Sequence, residues 1–138
     1  MKRTASAQWQ GDLKQGKGTV SLQSGLLKDA PYSFVTRFEN GAGTNPEELI
    51  AAAHSACFAM QFSAFLAQNG TPGEVNVSSV VEIIPGTGIT GSALTVEGKV
   101  PGIDAAKFEE LAQKAKAECP VSKALGAINV TLDAKLVA

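Results

Sequence analysis

A chain of 138 residues is long enough for one domain with a sizeable core, and the whole span 1–138 reads as a single domain. Its formal net charge of −1 leaves no electrostatic footprint for nucleic acid or an anionic membrane. Charged residues are only 18% and hydrophobic residues 44%, which in so small a protein points to apolar surface hidden in an oligomer.

The first residues, Met1-Lys2-Arg3, are basic, but no apolar stretch of signal-peptide type follows, so the expected compartment is the reducing cytoplasm. Two cysteines there read as free thiols, redox residues or inert core residues rather than a structural staple. Residues 4–10 and 18–24 are predicted strands joined by a polar turn around Gly16. Residues 32–39 are predicted as a third strand. Alternation there places Tyr32, Phe34, Thr36 and Phe38 on one face and Ser33, Val35, Arg37 and Glu39 on the other. Gly41-Ala42-Gly43 is a flexible bend into the stretch that dominates the chain.

That stretch is a helix over roughly residues 46–69. Asn45 suits the N-cap, Pro46 the first helical position, and Glu48 the place from which a capping-box acid reaches back. Glu47 and Glu48 put negative charge at the positive end of the helix dipole. No further charge follows until Glu74, and Asn69-Gly70 is the stop signal. Every face is apolar or small, with only His54, Ser55, Gln61 and Ser63 interrupting. Such a helix is buried or spans a bilayer. His54, Gln61 and the abundance of mildly apolar Ala favour a buried central helix and no membrane partner.

Thr71-Pro72-Gly73 is a turn, residues 74–84 an alternating strand, Pro85-Gly86-Thr87-Gly88 a hairpin turn and residues 89–100 the returning strand. Asp104 caps a second helix over residues 105–118, with Phe108, Leu111, Ala112 and Ala115 as its apolar stripe. Pro120 ends or kinks it at Cys119, residues 121–125 add a helical turn, and residues 127–137 form a last strand. The order predicts an α+β fold with largely antiparallel sheets.

Cys57 sits mid-helix in apolar surroundings, where a thiol is commonly inert packing, and its activation needs an external cation. The chain has only two arginines, Arg3 at the start and Arg37. A guanidinium stays charged when desolvated and its fork can hold a thiolate and a peroxide oxygen together; the alternative for Arg37 is a solvated residue paired with Glu39. Cys119 lies at the negative end of its helix, which raises a thiol pKa and makes it a poor attacking group. It could still resolve a sulfenic acid on Cys57 if the two lie within about 7 Å between Cα atoms. His54, three residues before Cys57, is a hydrogen-bonded core residue or a pocket residue. Zinc on His54, Cys57 and Cys119 has little support, because paired ligand spacings such as C-x-x-C are absent. Nucleotide-loop and serine-hydrolase motifs are absent as well.

The run from Thr44-Asn45-Pro46-Glu47-Glu48 through Ala53-His54-Ser55-Ala56-Cys57-Phe58, with Cys119-Pro120-Val121-Ser122, resembles the two motifs of the osmotically inducible protein C (OsmC/Ohr) family of bacterial hydroperoxide reductases. Length, element order and cysteine separation fit across the chain. The placing of Arg37 and the presence of His54 resemble the OsmC branch. In the Ohr branch the arginine lies nearer the N-terminus and Tyr commonly replaces that histidine. The resemblance implies an intertwined homodimer whose largely antiparallel sheets wrap around two long central helices. It implies thiol-dependent reduction of organic hydroperoxides, and of hydrogen peroxide, with no resident metal or flavin and an external dithiol or lipoyl-type reductant. Cys57 matches the peroxidatic cysteine, Cys119 the resolving one, and Arg37 and Glu47 the pair that activates and orients the thiolate. His54, Phe58 and Met60, with Phe62 and Phe65 nearby, are candidates for a substrate pocket, the alternative being that all are core.

Helix geometry adds a constraint. Ten residues separate Glu47 from Cys57, about 15 Å of rise with the side chains roughly 80° apart, and no Pro or Gly lies between them. If Glu47 supports Arg37 beside the thiol, it comes from a second chain, with each active site at the dimer interface. Two other readings stand beside the peroxidase: a redox-sensing or ligand-binding module on the same fold, and a structural domain with inert thiols.

Overall fold

The structure is a computed structural model and describes residues 1–137. The chain divides into two compact units, Met1–Leu49 and the part from Ile50 onward. In the first, β1 (Ala5–Gln10), β2 (Lys17–Leu22) and β3 (Ala30–Tyr32) form an antiparallel sheet in that order. Gly18 pairs with Trp9 on one side and Tyr32 on the other, and the two rings pack over it with centroids 5.4 Å apart. A side chain cannot stand there, because a Cβ on Gly18 would lie 2.5 Å from the Tyr32 ring and 2.7 Å from that of Trp9.

The third predicted strand is corrected. Only Tyr32 of it continues β3, and α1 (Phe34–Phe38) follows at once. Ser33 and Thr36 form a reciprocal capping box: the Thr36 amide donates to Ser33 Oγ at 3.3 Å and the Ser33 amide to Thr36 Oγ1 at 2.8 Å. Phe34 and Phe38, read as alternating strand residues, are an i,i+4 helical pair with ring centroids 5.0 Å apart. Arg37 is thus a helix residue.

The second helix, α2, covers Pro46–Gln68 without a break. The Glu48 amide donates to Asn45 Oδ1 at 2.8 Å, as expected of an N-cap, while the Glu48 carboxylate reaches back to Thr44 Oγ1 at 2.8 Å. At the far end Gly70 has φ +79°, and the Thr71 and Gly70 amides bond the Leu66 and Ala67 carbonyls, which is a Schellman termination.

In the second unit β4 (Glu74–Ile84) and β5 (Gly88–Lys99) form a long antiparallel hairpin. After α3 (Ala105–Glu118) and the short α4 (Pro120–Ala124), β6 (Asn129–Leu136) pairs with β5 in parallel. That is the one departure from an antiparallel plan among the described residues, and the two helices supply the crossover a parallel pair requires. Phe58, Phe62, Phe65 and Leu66 of α2 meet Leu94 and Val96 of β5 and the stripe Phe108, Leu111, Ala112 and Ala115 of α3, all buried. Phe62 packs edge-on to Phe108 at 5.1 Å.

Burial of α2 holds for one face only. Ala52, Ala53, Ala56, Met60, Ala64 and Ala67 form a stripe at helical spacing that is open to solvent, with Met60 77% exposed. By length and composition α2 could also cross a bilayer, yet its other face packs into the core.

Candidate active site

The capping box that starts α1 fixes Arg37 one turn later. Asn45 steadies the same segment by donating from Nδ2 to the Thr36 carbonyl at 2.9 Å. Arg37 Nε donates to Glu47 Oε1 at 2.9 Å. The Arg37 side chain is 37% exposed and that of Glu47 only 7%. Glu47 Oε2 is buried without a hydrogen-bond partner among the described residues. A buried carboxylate left half satisfied costs stability, so this pair is a poor staple and a better instrument. Only Nε of Arg37 is engaged in the described hydrogen bonds, and the rest of its fork is available to an anion. The guanidinium also stacks on the Phe38 ring at 5.4 Å. Beside it lies a cleft of about 180 Å³ between Trp9, Tyr32, Phe34 and Phe38.

The second unit holds the thiols. Cys57 is half-buried, Cys119 is completely buried, and both are free. The two thiols lie near enough for each to act on the other's ionisation. Burial pushes the Cys57 thiol above its ordinary value, the Cys119 thiol adds to the rise, and the Val121 amide opposes it. Burial also acts to raise Cys119. The Cys57 thiol, the amide and hydroxyl of Ser122 and the Val121 amide outweigh it, and Cys119 lies below its ordinary value. This corrects the expectation drawn from the α3 dipole. Cys119 does end α3, but it also opens α4, so donors of the next turn face its sulfur. As a thiol it makes no capping bond; the donors act on the anion.

His54 is fully buried between two hydroxyls, with Nδ1 2.6 Å from Ser92 Oγ and Nε2 2.7 Å from Ser122 Oγ. Burial lowers its pKa and keeps the imidazole neutral. Among the described residues no group of three or more His, Cys, Asp or Glu side chains is placed to hold a metal ion.

The expected site residues thus fall into sets. Arg37 meets Glu47, and Cys57 meets Cys119. The three pocket candidates do not converge: His54 and Phe58 are buried and Met60 stands on the open face of α2. Phe62 and Phe65 lie in the core. Sequence reasoning missed the aromatic cleft beside Arg37. Its signal was the chain's one Trp and one Tyr, in the two strands that flank β2, with Phe34 and Phe38 at helical spacing beside the arginine.

Residues 39–133 match the family described as OsmC-like protein. The chain is 51% identical to Peroxiredoxin OsmC of Escherichia coli over 138 residues, covering 97% of this chain and 96% of that one. It is 46% identical over 99 residues to the Organic hydroperoxide resistance protein of Xanthomonas axonopodis pv. citri, covering 67% of each. Its fold matches the crystal structure of the organic hydroperoxide resistance protein OhrB of Bacillus subtilis with a TM-score of 0.71 at 25% identity, over 96% of this chain and 98% of that one. The α+β architecture, the two-cysteine core and these likenesses converge, and the chain belongs to the OsmC-like protein family.

Proposed function

We propose that this protein is a cysteine-based peroxidase that reduces organic hydroperoxides, and hydrogen peroxide as a second substrate. The observation that carries the reading is the thiol pair: one reachable sulfur and one buried sulfur, near enough for each to act on the other's ionisation. Two inert core cysteines have no need of that asymmetry. Cys57 is the attacking group because it alone can meet a substrate from outside. Its thiolate forms an S–O bond with the terminal peroxide oxygen, the O–O bond breaks, and the alkoxide leaves as alcohol after taking up a proton. Cys119 then attacks the Cys57 sulfur, water leaves, and a disulfide remains. An external dithiol, of lipoyl type or similar, reopens it by exchange, and no resident metal or flavin takes part.

A thiol raised by burial needs a cation, and Arg37 is the one we assign. Its open fork can bind the thiolate and the developing charge on the leaving oxygen. Glu47 holds it, and the aromatic cleft beside it suits the hydrocarbon part of an organic peroxide. Glu47 stands ten helical residues from Cys57 on the unbroken α2, about 15 Å of rise. We therefore infer a homodimer in which the Arg37–Glu47 pair of one copy serves the thiols of the other. The open Ala/Met stripe of α2 supports this, since two such helices packed together would cover it. Cytoplasmic residence fits a cycle that depends on small dithiols.

The test is steady-state loss of tert-butyl hydroperoxide and hydrogen peroxide with dithiols and monothiols. Sustained turnover with a dithiol supports the peroxidase. A single equivalent consumed without turnover under every reductant would overturn it in favour of a sensor.

A further inference from the structure

Cys119 is fully buried, yet its thiol must lose a proton before its sulfur can attack. One continuous polar path leads away from it. Cys119 caps α4 and Ser122 stands in its first turn, where its hydroxyl acts on the ionisation of the sulfur. Ser122 Oγ lies 2.7 Å from His54 Nε2, His54 Nδ1 lies 2.6 Å from Ser92 Oγ, and Ser92 Oγ lies 2.7 Å from Ser79 Oγ. Ser122, His54 and Ser92 are 9%, 0% and 1% exposed, while Ser79 is only half-buried. The path therefore crosses the core from α4 through α2 and β5 and ends near solvent on β4. Polar groups set in an apolar core are costly unless each is satisfied, and here each is satisfied by the next.

We propose that Ser122, His54, Ser92 and Ser79 form a proton relay that carries the Cys119 proton out of the core, with His54 as its exchange point.

A neutral imidazole has one donor nitrogen and one acceptor. With Cys119 as thiol, its S–H donates to Ser122 Oγ, Ser122 donates to His54 Nε2, His54 Nδ1–H donates to Ser92, and Ser92 donates to Ser79. Moving every proton one link along turns each bond round. Cys119 becomes a thiolate accepting from Ser122, the imidazole proton moves to Nε2, and Ser79 releases a proton to water. The thiolate then attacks the sulfenic sulfur of Cys57. The S–S bond forms and the S–O bond breaks. The departing hydroxide takes up a proton from the medium, so one sulfenic acid and one thiol give one disulfide and one water. Cys119 is oxidised and the Cys57 sulfur reduced. This role rests on the peroxidase reading for its occasion, but proton movement from Cys119 can be measured without peroxide. Cys57 of α2 is the titratable group that faces Cys119. The groups facing His54 from β5 and α4 are hydroxyls, and β4 adds Ser79; no charged side chain faces either residue among the described contacts.

His54→Gln keeps a donor and an acceptor but cannot exchange them. After one equivalent of tert-butyl hydroperoxide, stopped-flow with a sulfenic-acid trap separates attack from closure. We expect closure to slow about tenfold more than attack does, and Ser92→Ala to show the same split. Equal slowing of both steps would mark a merely structural histidine, and unchanged closure would also overturn the relay. If His54→Gln does not fold, Ser79→Ala at the half-buried end decides by the same split. In a Cys57→Ser chain, ultraviolet absorbance of the Cys119 thiolate after a pH jump is the second readout. There His54→Gln should delay thiolate formation. This holds even if the protein proves no peroxidase, whereas an unchanged rate sinks the relay alone.

Discussion

The two units of this chain divide the chemistry between them. The first holds a cation and its carboxylate, fixed by short-range devices: a capping box, an Asn45 bond and a helix start. The second holds two sulfurs, set in an apolar core by contacts between α2, β5, α3 and α4. One has charge and no nucleophile; the other has nucleophiles and no described charge partner. The contrast has a physical cause. An ion buried among Phe58, Phe62 and Leu94 would cost several kcal/mol in lost hydration. A thiol is comfortable there but reluctant to ionise. Keeping the charge on a half-exposed local scaffold avoids the first cost and leaves the second to be met by the proposed pairing of two chains.

Removing the nucleophile should have the largest effect. Cys57→Ser is expected to lower peroxide reduction by about three orders of magnitude or more. Cys119→Ser should still consume one equivalent and then stall as a sulfenic acid or over-oxidise. Quantifying peroxide consumed per thiol checks both, and multiple turnover in Cys57→Ser would reverse the assigned roles. Removing the charge comes next. Arg37→Ala should slow oxidation of Cys57 by about a hundredfold and shift its pH profile upward, because no cation then offsets the burial of the thiol. Arg37→Lys should recover part of this, since an ammonium lacks the fork. A thiol reactivity profile identical to the parent's would leave the charged unit without a catalytic task.

The division itself can be tested by reassembly. Inactive Cys57→Ser and Glu47→Ala chains, refolded together, should form heterodimers with one site containing both native residues. Random pairing then restores roughly a quarter of parental activity. A mixture as inactive as its parents, with heterodimers present, would confine each site to one chain.

The smallest effect concerns pH and stability. His54 has its pKa lowered by burial, so the unfolded chain binds its proton more readily than the folded one. Its contribution is fully present above the ordinary value of about 6.5 and is lost as pH falls through the lowered folded value. Urea unfolding should therefore show stability declining on acidification, with a flatter slope in His54→Gln.

What could be read from the sequence follows the same divide between local and distant causes. The caps of α2 and α3, the hairpin and the apolar stripe of α3 are written in adjacent residues, and they stand where expected. The aromatic alternation around Arg37 suits a strand, whereas Ser33 and Thr36, three residues apart, set a helix start. The α3 dipole alone does not describe Cys119, because that residue ends one helix and opens another. The hydroxyls around His54 come from distant elements, and a single sequence without pairing information cannot bring them together.

The crossover that makes β6 parallel to β5 also places Cys119 late in the chain, far from Cys57 in sequence though beside it in the fold. A bond between them would close a loop of roughly sixty residues and reduce the freedom of the unfolded chain by on the order of 4 kcal/mol at room temperature. Oxidation would thus act as a reversible clamp, and the melting temperature would report the fraction of molecules waiting for a reductant. A cell short of dithiol would accumulate the tougher form, so the same bond that halts turnover would protect the halted protein from unfolding until electrons return.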